Sequence, residues 1–262
     1  MPRFAANLSM MFTELPFMER FAAARGAGFR AVEYLFPYAF EARDLRRALD
    51  DAGLQQVLFN APPGGDFAAG ARGLAALPGR EDEARESIAA ALDYARVLDV
   101  AHVHVMAGNC AETIGEAEQK ACYVSNLRLA AAAAAKAGVT LLIEPLNPFD
   151  MPGYFLSTVA QAADVIAATG AANLKIQYDL YHQSRFGGEL LGTYERYRDR
   201  IGHIQVAGNP GRNEPDTGEI DHGFVFAELD RLGYSGWIGC EYRPRSGTLA
   251  GLGWFGPWKE HT

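Results

Sequence analysis

Short apolar runs alternate along the chain with longer segments whose apolar residues recur at helical spacing. Eight runs rich in Val, Ile, Phe and Tyr read as strands: Arg3–Ser9, Phe29–Leu35, Leu54–Asn60, Val100–Ala107, Val139–Leu146, Leu174–Leu180, Ile201–Ala207 and Trp237–Tyr242. The intervening segments read as helices: Leu15–Ala27, Glu41–Ala52, Arg80–Leu98, Thr113–Ala137, Thr158–Thr169, Glu189–Arg200, Phe224–Leu232 and a closing Thr248–Trp258. Ser157 or Thr158 suits the N-cap of the fifth, because a hydroxyl there accepts an otherwise unpaired backbone N–H. Gly28, Gly53, Gly138 and Gly233 stand where helices should stop and the chain turns towards a strand.

Strict βα alternation implies a parallel sheet covered by helices. Eight units predict closure into a (β/α)₈ TIM barrel, with residues 1–262 forming one domain. The alternative is an open doubly wound sheet. Its dinucleotide-binding form is disfavoured, because no G-x-G-x-x-G follows the first strand. The segment Pro62–Arg80 is Gly-rich and lacks periodicity, so it reads as a lid over a site or as a plain surface excursion.

In such a barrel, chemistry sits at the C-terminal ends of the strands. The residues there are Asn7, Glu33, Asn60, His104 or Met106, Glu144, Asp179, Gln205 and Glu241. Four of them, in LLIEPLN, IQYDLYH, HIQVAGN and IGCEYRP, are spaced 35, 26 and 36 residues apart, about one βα unit each. They should therefore converge from strands five to eight. Three carboxylates in one place repel one another. A divalent cation resolves this, and oxygen ligands without Cys favour Mg²⁺ or Mn²⁺. The bland reading is that each acid caps a helix or pairs with an Arg at the rim. His102 and His104 share one strand face, and His104 and His203 are assigned to the barrel interior beside a ligand set complete without them.

Net charge is −8, with six His. This argues against nucleic acid or an anionic membrane as partner, and against a multi-cation phosphodiesterase that would need a basic groove. The three cysteines, Cys110, Cys122 and Cys240, form no C-x-x-C and suit a reducing compartment. The N-terminus does not read as a signal peptide, and the longest apolar stretch, Leu129 to Val139, is too short to span a bilayer. A cytoplasmic protein is expected. Trp254, Phe255 and Trp258 either pack the last helix on the barrel or meet a second subunit, which leaves a homo-oligomer open.

The blocks FAANLSMMF, GFRAVEYLFPY, GDFAAGARGLAALPGRE, LLIEPLNPFDMPGYFL, NLKIQYDLYHQSRFGGEL, IGHIQVAGNPGRNEPDTGEI and GWIGCEYRP cover most of the chain. In them it resembles the hydroxypyruvate isomerase family of the xylose-isomerase-like barrels. The resemblance implies that Glu144 and Glu241 are an acid/base pair that also contacts the metal, and that Asp179 and Gln205 complete the metal site. It implies interconversion of hydroxypyruvate and 2-hydroxy-3-oxopropanoate (tartronate semialdehyde) through an enediolate. A 2-oxo-tetronate isomerase or a ketose 3-epimerase with the same site is the alternative. Related sugar isomerases and epimerases carry His where this chain has Gln205, which sets the epimerase reading back. By the same resemblance His182, in the loop after Asp179, touches a substrate oxygen. Arg212 is placed to pair with the substrate carboxylate, the plain alternative being a solvated surface Arg. Glu33 and Asn60 are placed facing the pocket or supporting it from behind. A barrel that only binds sugars, or serves as a scaffold, would be expected to lack one of the two glutamates.

Overall fold

A computed structural model describes residues 1–109 and 114–261. Cys110 and Thr113, the latter the predicted start of the fourth helix, lie outside the described residues. The strands are β1 (Arg3–Asn7), β2 (Ala31–Glu33), β3 (Gln55–Asn60), β4 (His102–His104), β5 (Thr140–Ile143), β6 (Leu174–Asp179), β7 (Ile201–Val206) and β8 (Trp237–Cys240). They pair in parallel, each with the next in sequence, and β8 closes on β1. The helices are α1 (Arg20–Ala27), α2 (Ala42–Ala52), α3 (Glu81–Leu98), α4 (Glu116–Lys136), α5 (Val159–Thr169), α6 (Leu180–Phe186), α7 (Leu190–Tyr197) and α8 (His222–Arg231). The chain is thus the closed barrel that its alternation predicts. All four predicted stop glycines have positive φ, and the Thr158 side chain caps α5 by accepting the Gln161 N–H.

Three elements differ from the sequence reading. His182 lies in α6 and not in a loop: Asp179 ends β6 and caps the helix directly, its Oδ1 accepting the Tyr181 N–H at 2.8 Å. The closing helix is a 3₁₀ helix over Leu249–His261, in which Gly251, Gly253, Gly256 and Pro257 interrupt regular α packing. The first helix begins as a 3₁₀ turn, Phe17–Glu19, before α1.

Two apolar layers hold the barrel. Inside, small and aliphatic residues (Ala5, Ala31, Val57, Leu58 and Leu142) fill the lower half, with Trp237 beneath them. Outside, the strands bury their other face against the helices. Phe4 of β1 is fully buried with its ring centroid 4.9 Å from Phe226 and 5.1 Å from Trp254, and Phe29 stacks on Phe255 at 4.3 Å. Each such pair contributes about 0.5–1.5 kcal/mol beyond area burial. Of the two readings of the C-terminal aromatics, packing on the barrel is therefore the one realised. Among the described residues, no helix is long and apolar enough to cross a membrane.

The Pro62–Arg80 segment has two parts. Residues 73–77 are strapped to the strand-end loop after β4: Gly73 bridges Ala107, and Ala76 N–H donates to the Ala107 carbonyl at 2.7 Å. Leu74, Ala75 and Ala76 are buried. The outer arm carries Phe67, which lines the cavity described below and lies under the Arg72 guanidinium at 4.2 Å. Gly73 has φ +107°, and a Cβ there would overlap the Met106 carbonyl. Gly73→Ala should therefore destabilise the protein by about 1–3 kcal/mol, read from the midpoint of denaturant unfolding. An unchanged midpoint would show that the strap is not rigid.

Candidate active site

Parallel closure brings the C-terminal strand ends to one rim, and the predicted residues collect there. Asp179 and Gln205 are register partners across β6 and β7, and Gln205 is the partner of Gly239 across β7 and β8. Glu144 and Glu241 each follow the last residue of their strand, β5 and β8. A cavity of about 390 Å³ opens at this rim, within the usual range for small-ligand pockets. Its polar lining includes Asn60, His104, Glu144, His182, Arg212 and Glu241. A groove of about 450 Å³ between α3 and α4 is lined by Leu92, Leu129 and alanines, far from the strand ends, and has no opposed acid pair.

Glu144 is buried. Its Oε2 lies 3.6 Å from His104 Nδ1, and its Oε1 has no hydrogen-bond partner. Burial, then the nearby Glu241 and Asp179 charges, push its pKa well above the usual carboxylate range. Burial likewise raises Glu241 to about 8 and Asp179 to about 6, against the lowering effect of Arg212. The Arg212 Nη2 lies 3.4 Å from Asp179 Oδ2 and 3.2 Å from Glu241 Oε2. Three carboxyls and one guanidinium therefore share the site.

His182 is held in one tautomer. Its Nδ1 accepts the Asn147 backbone N–H at 3.1 Å, so in the neutral ring the proton sits on Nε2. Burial keeps the ring neutral by pushing its pKa well below the ordinary value. Nε2 lies 3.7 Å from Asp179 Oδ2, has no hydrogen-bond partner and faces the cavity that His182 lines. It is a ready N–H donor to a ligand oxygen. His104 is also neutral, its pKa lowered to about 3 by burial, with Nε2 unpartnered.

Glu33 does not line the cavity. It sits beneath the rim, where its carboxylate accepts from Asn7 Nδ2 (3.0 Å) and Gln205 Nε2 (2.7 Å) and meets His203 Nε2 (2.7 Å). The space it occupies exists because residue 239 is Gly; a Cβ there would overlap its carboxylate. Gln205 Oε1 also accepts from Gln177 Nε2 at 2.6 Å. Gln205 is thus gripped from below at both ends of its amide, with one lone pair of Oε1 left. Sequence reasoning missed Asn147, Gln177 and Gly239. Asn147 alone carried a local signal, three residues beyond Glu144 at the strand end.

The donor set fits a divalent cation. Ligand atoms of Glu144, Asp179 and His182 lie within 4.8 Å of one another, and one oxygen each of Glu144 and Glu241 is buried without a hydrogen bond. With the proton on Nε2, His182 leaves Glu144 and Asp179 as the oxygen ligands of this group.

Without a cation, the raised carboxyls make stability pH-dependent. Glu241 titrates near 8 when folded, against 4.5 ordinarily. Between these values the folded protein holds more protons than the unfolded one, so stability is lost as pH rises through that window. In EDTA, the Tm of the wild type should fall as pH rises from about 5 to 8, and Glu241→Gln should flatten that fall. Parallel profiles for the two proteins would mean that Glu241 is ionised throughout.

The model of the xylose isomerase-like TIM barrel matches residues 21–258. The chain is 55% identical to the 2-oxo-tetronate isomerase of Cupriavidus necator, over 98% of this chain and 99% of that protein. It is 45% identical to the hydroxypyruvate isomerase of Escherichia coli, over 99% and 100% of the two. A crystal structure titled AP endonuclease, family 2, from Brucella melitensis superposes with a TM-score of 0.96 at 46% identity, covering 98% of this chain and 99% of that one. The chain belongs to the xylose isomerase-like TIM barrel family, in its isomerase branch.

Proposed function

We propose that this protein moves a carbonyl between C2 and C3 of a small 2-oxo-3-hydroxy acid, with a divalent cation, Mg²⁺ or Mn²⁺, held by Glu144, Asp179, Gln205 and Glu241. The observation that carries the reading is the pair of buried carboxyls, Glu144 and Glu241, which line one cavity from β5 and β8. In the cation-free protein burial biases both towards protonation, and they face one another across the space a substrate would fill. One can then remove a proton while the other delivers one, the division of labour that such reactions need.

In the reaction, one glutamate takes the proton from C3, and the electron pair moves to form the C2–C3 double bond of an enediolate. The other glutamate then gives a proton to C2, while the C3 hydroxyl proton passes to the C2 oxygen, so that C2 ends with the hydroxyl and the C3 oxygen becomes the carbonyl. The His182 Nε2–H donates to a substrate oxygen, and Arg212 pairs with the substrate carboxylate. Asn60 and His104 line the wall beside Glu144. The cation, when bound, would supply positive charge opposite the developing negative oxygens. Phe67, from the Pro62–Arg80 segment, lines the cavity, where its ring would keep water from the enediolate.

Hydroxypyruvate is the three-carbon member of this substrate class, and 2-oxo-tetronate the four-carbon one. The 55% relative favours the four-carbon acid; the E. coli relative keeps hydroxypyruvate as the second reading. An endonuclease activity is disfavoured, since the net charge is −8 and the described residues gather a single candidate metal group.

Purified protein with Mn²⁺ or Mg²⁺ should interconvert 2-oxo- and 3-oxo-tetronate and act more weakly on hydroxypyruvate. Ketoses should be left unchanged, and EDTA should abolish turnover. Activity on ketoses alone, or activity untouched by complete metal removal, contradicts the assignment. Glu144→Gln and Glu241→Gln should each lower kcat by about 10²–10⁴-fold with the far-ultraviolet circular dichroism unchanged. Near-wild-type rates in both variants would remove them from the chemistry.

A further inference from the structure

The geometry points to Arg212 as a built-in counter-ion that holds the carboxyl cluster together in the metal-free protein and yields its place when a divalent cation binds. This rests on the cation site proposed above. The Arg212 backbone is tied on both sides: its N–H donates to Gly208 O at 2.7 Å, and its own carbonyl accepts from the Arg243 N–H at 2.9 Å. It also adopts φ +51°, a left-handed conformation that costs a non-Gly residue energy. The fold thus accepts local strain to hold this side chain over the cluster.

The contacts of the guanidinium are electrostatic more than geometric. A single nitrogen, Nη2, faces Asp179 at the end of β6 and Glu241 just beyond β8, at 3.4 and 3.2 Å. Nε is buried without an acceptor, and the rest of the group lies over the Tyr181 ring, 5.1 Å from its centroid. An arginine built as a permanent partner would make a bidentate, fully satisfied pair with one carboxylate. Here it bridges two acids from different strands, and the same two acids are candidate ligands. Its single diffuse charge is a weaker match for them than a compact divalent ion. Once displaced, the guanidinium remains in the cavity it lines and becomes available to the substrate carboxylate.

Two consequences separate this role from that of a simple substrate-binding arm. Removing the charge should weaken the metal-free protein, because Asp179 and Glu241 lose their only cationic partner among the described residues. It should also strengthen cation binding, because nothing then competes. Arg212→Met keeps the length and removes the charge, whereas Arg212→Lys keeps the charge. Calorimetric titration with Mn²⁺ should give Arg212→Met a Kd about tenfold lower than wild type. In EDTA its Tm should drop by roughly 5 °C or more, and saturating Mn²⁺ should abolish the gap. Arg212→Lys should stay close to wild type in both readouts. Unchanged Kd and unchanged Tm in Arg212→Met, or weaker Mn²⁺ binding, would overturn the inference. If Arg212→Met folds only with Mn²⁺, the inference is supported; if it fails to fold even then, a displaced counter-ion cannot be the explanation. A wild type that binds no Mn²⁺ would remove the cation site itself, while the Tm in EDTA would still judge the counter-ion role.

Discussion

Like charges gathered in a dry place are the constraint around which the top of this barrel is arranged. Glu144, Asp179 and Glu241 are each about 5% exposed or less. Carboxylates so buried must protonate, find a cation or destabilise the fold. The structure uses the first two means. Protonation is favoured at Glu144 and Glu241, and Arg212 spans Asp179 and Glu241. Under the proposed function, a divalent cation would neutralise the cluster more fully than either.

Beneath the acids lies a polar layer that barrels usually fill with aliphatic side chains. Glu33 receives hydrogen bonds from Asn7 and Gln205 and contacts His203, and Gln177 holds the other end of the Gln205 amide. This layer fixes the orientation of Gln205, and with it the floor of the site. It depends on the missing side chain at Gly239, which leaves room for the Glu33 carboxylate. The aliphatic layer below, closed by Trp237, and the aromatic layer outside, around Phe4 and Trp254, supply the burial that makes such a polar interior tolerable.

Much of this was legible from residue order alone. Eight apolar runs separated by helical periodicity imply a closed parallel barrel, and closure places residues 144, 179, 205 and 241 on one rim without any knowledge of contacts. What could not be read were features set by side-chain direction and local capping. Asp179 has two local roles, ending β6 and capping α6, so the stretch carrying His182 reads as a loop when it is a helix. Glu33 sits at a strand end like the others, but its side chain turns down into the barrel, since its space is created by a glycine 206 residues away. The His182 tautomer depends on the Asn147 backbone N–H, a main-chain group that leaves no trace in composition or spacing. The commitment of Arg212 to the acids is a long-range charge effect, visible only once β6, β7 and β8 are side by side.

The proposed function stands or falls on the rim acids forming one cation site. The most direct measurement is anomalous diffraction from crystals grown with Mn²⁺. One strong peak is expected, bonded to oxygens of Glu144, Asp179, Gln205 and Glu241, with the Arg212 guanidinium moved off Asp179. No peak at the rim at saturating Mn²⁺, or a peak elsewhere on the barrel, would contradict it.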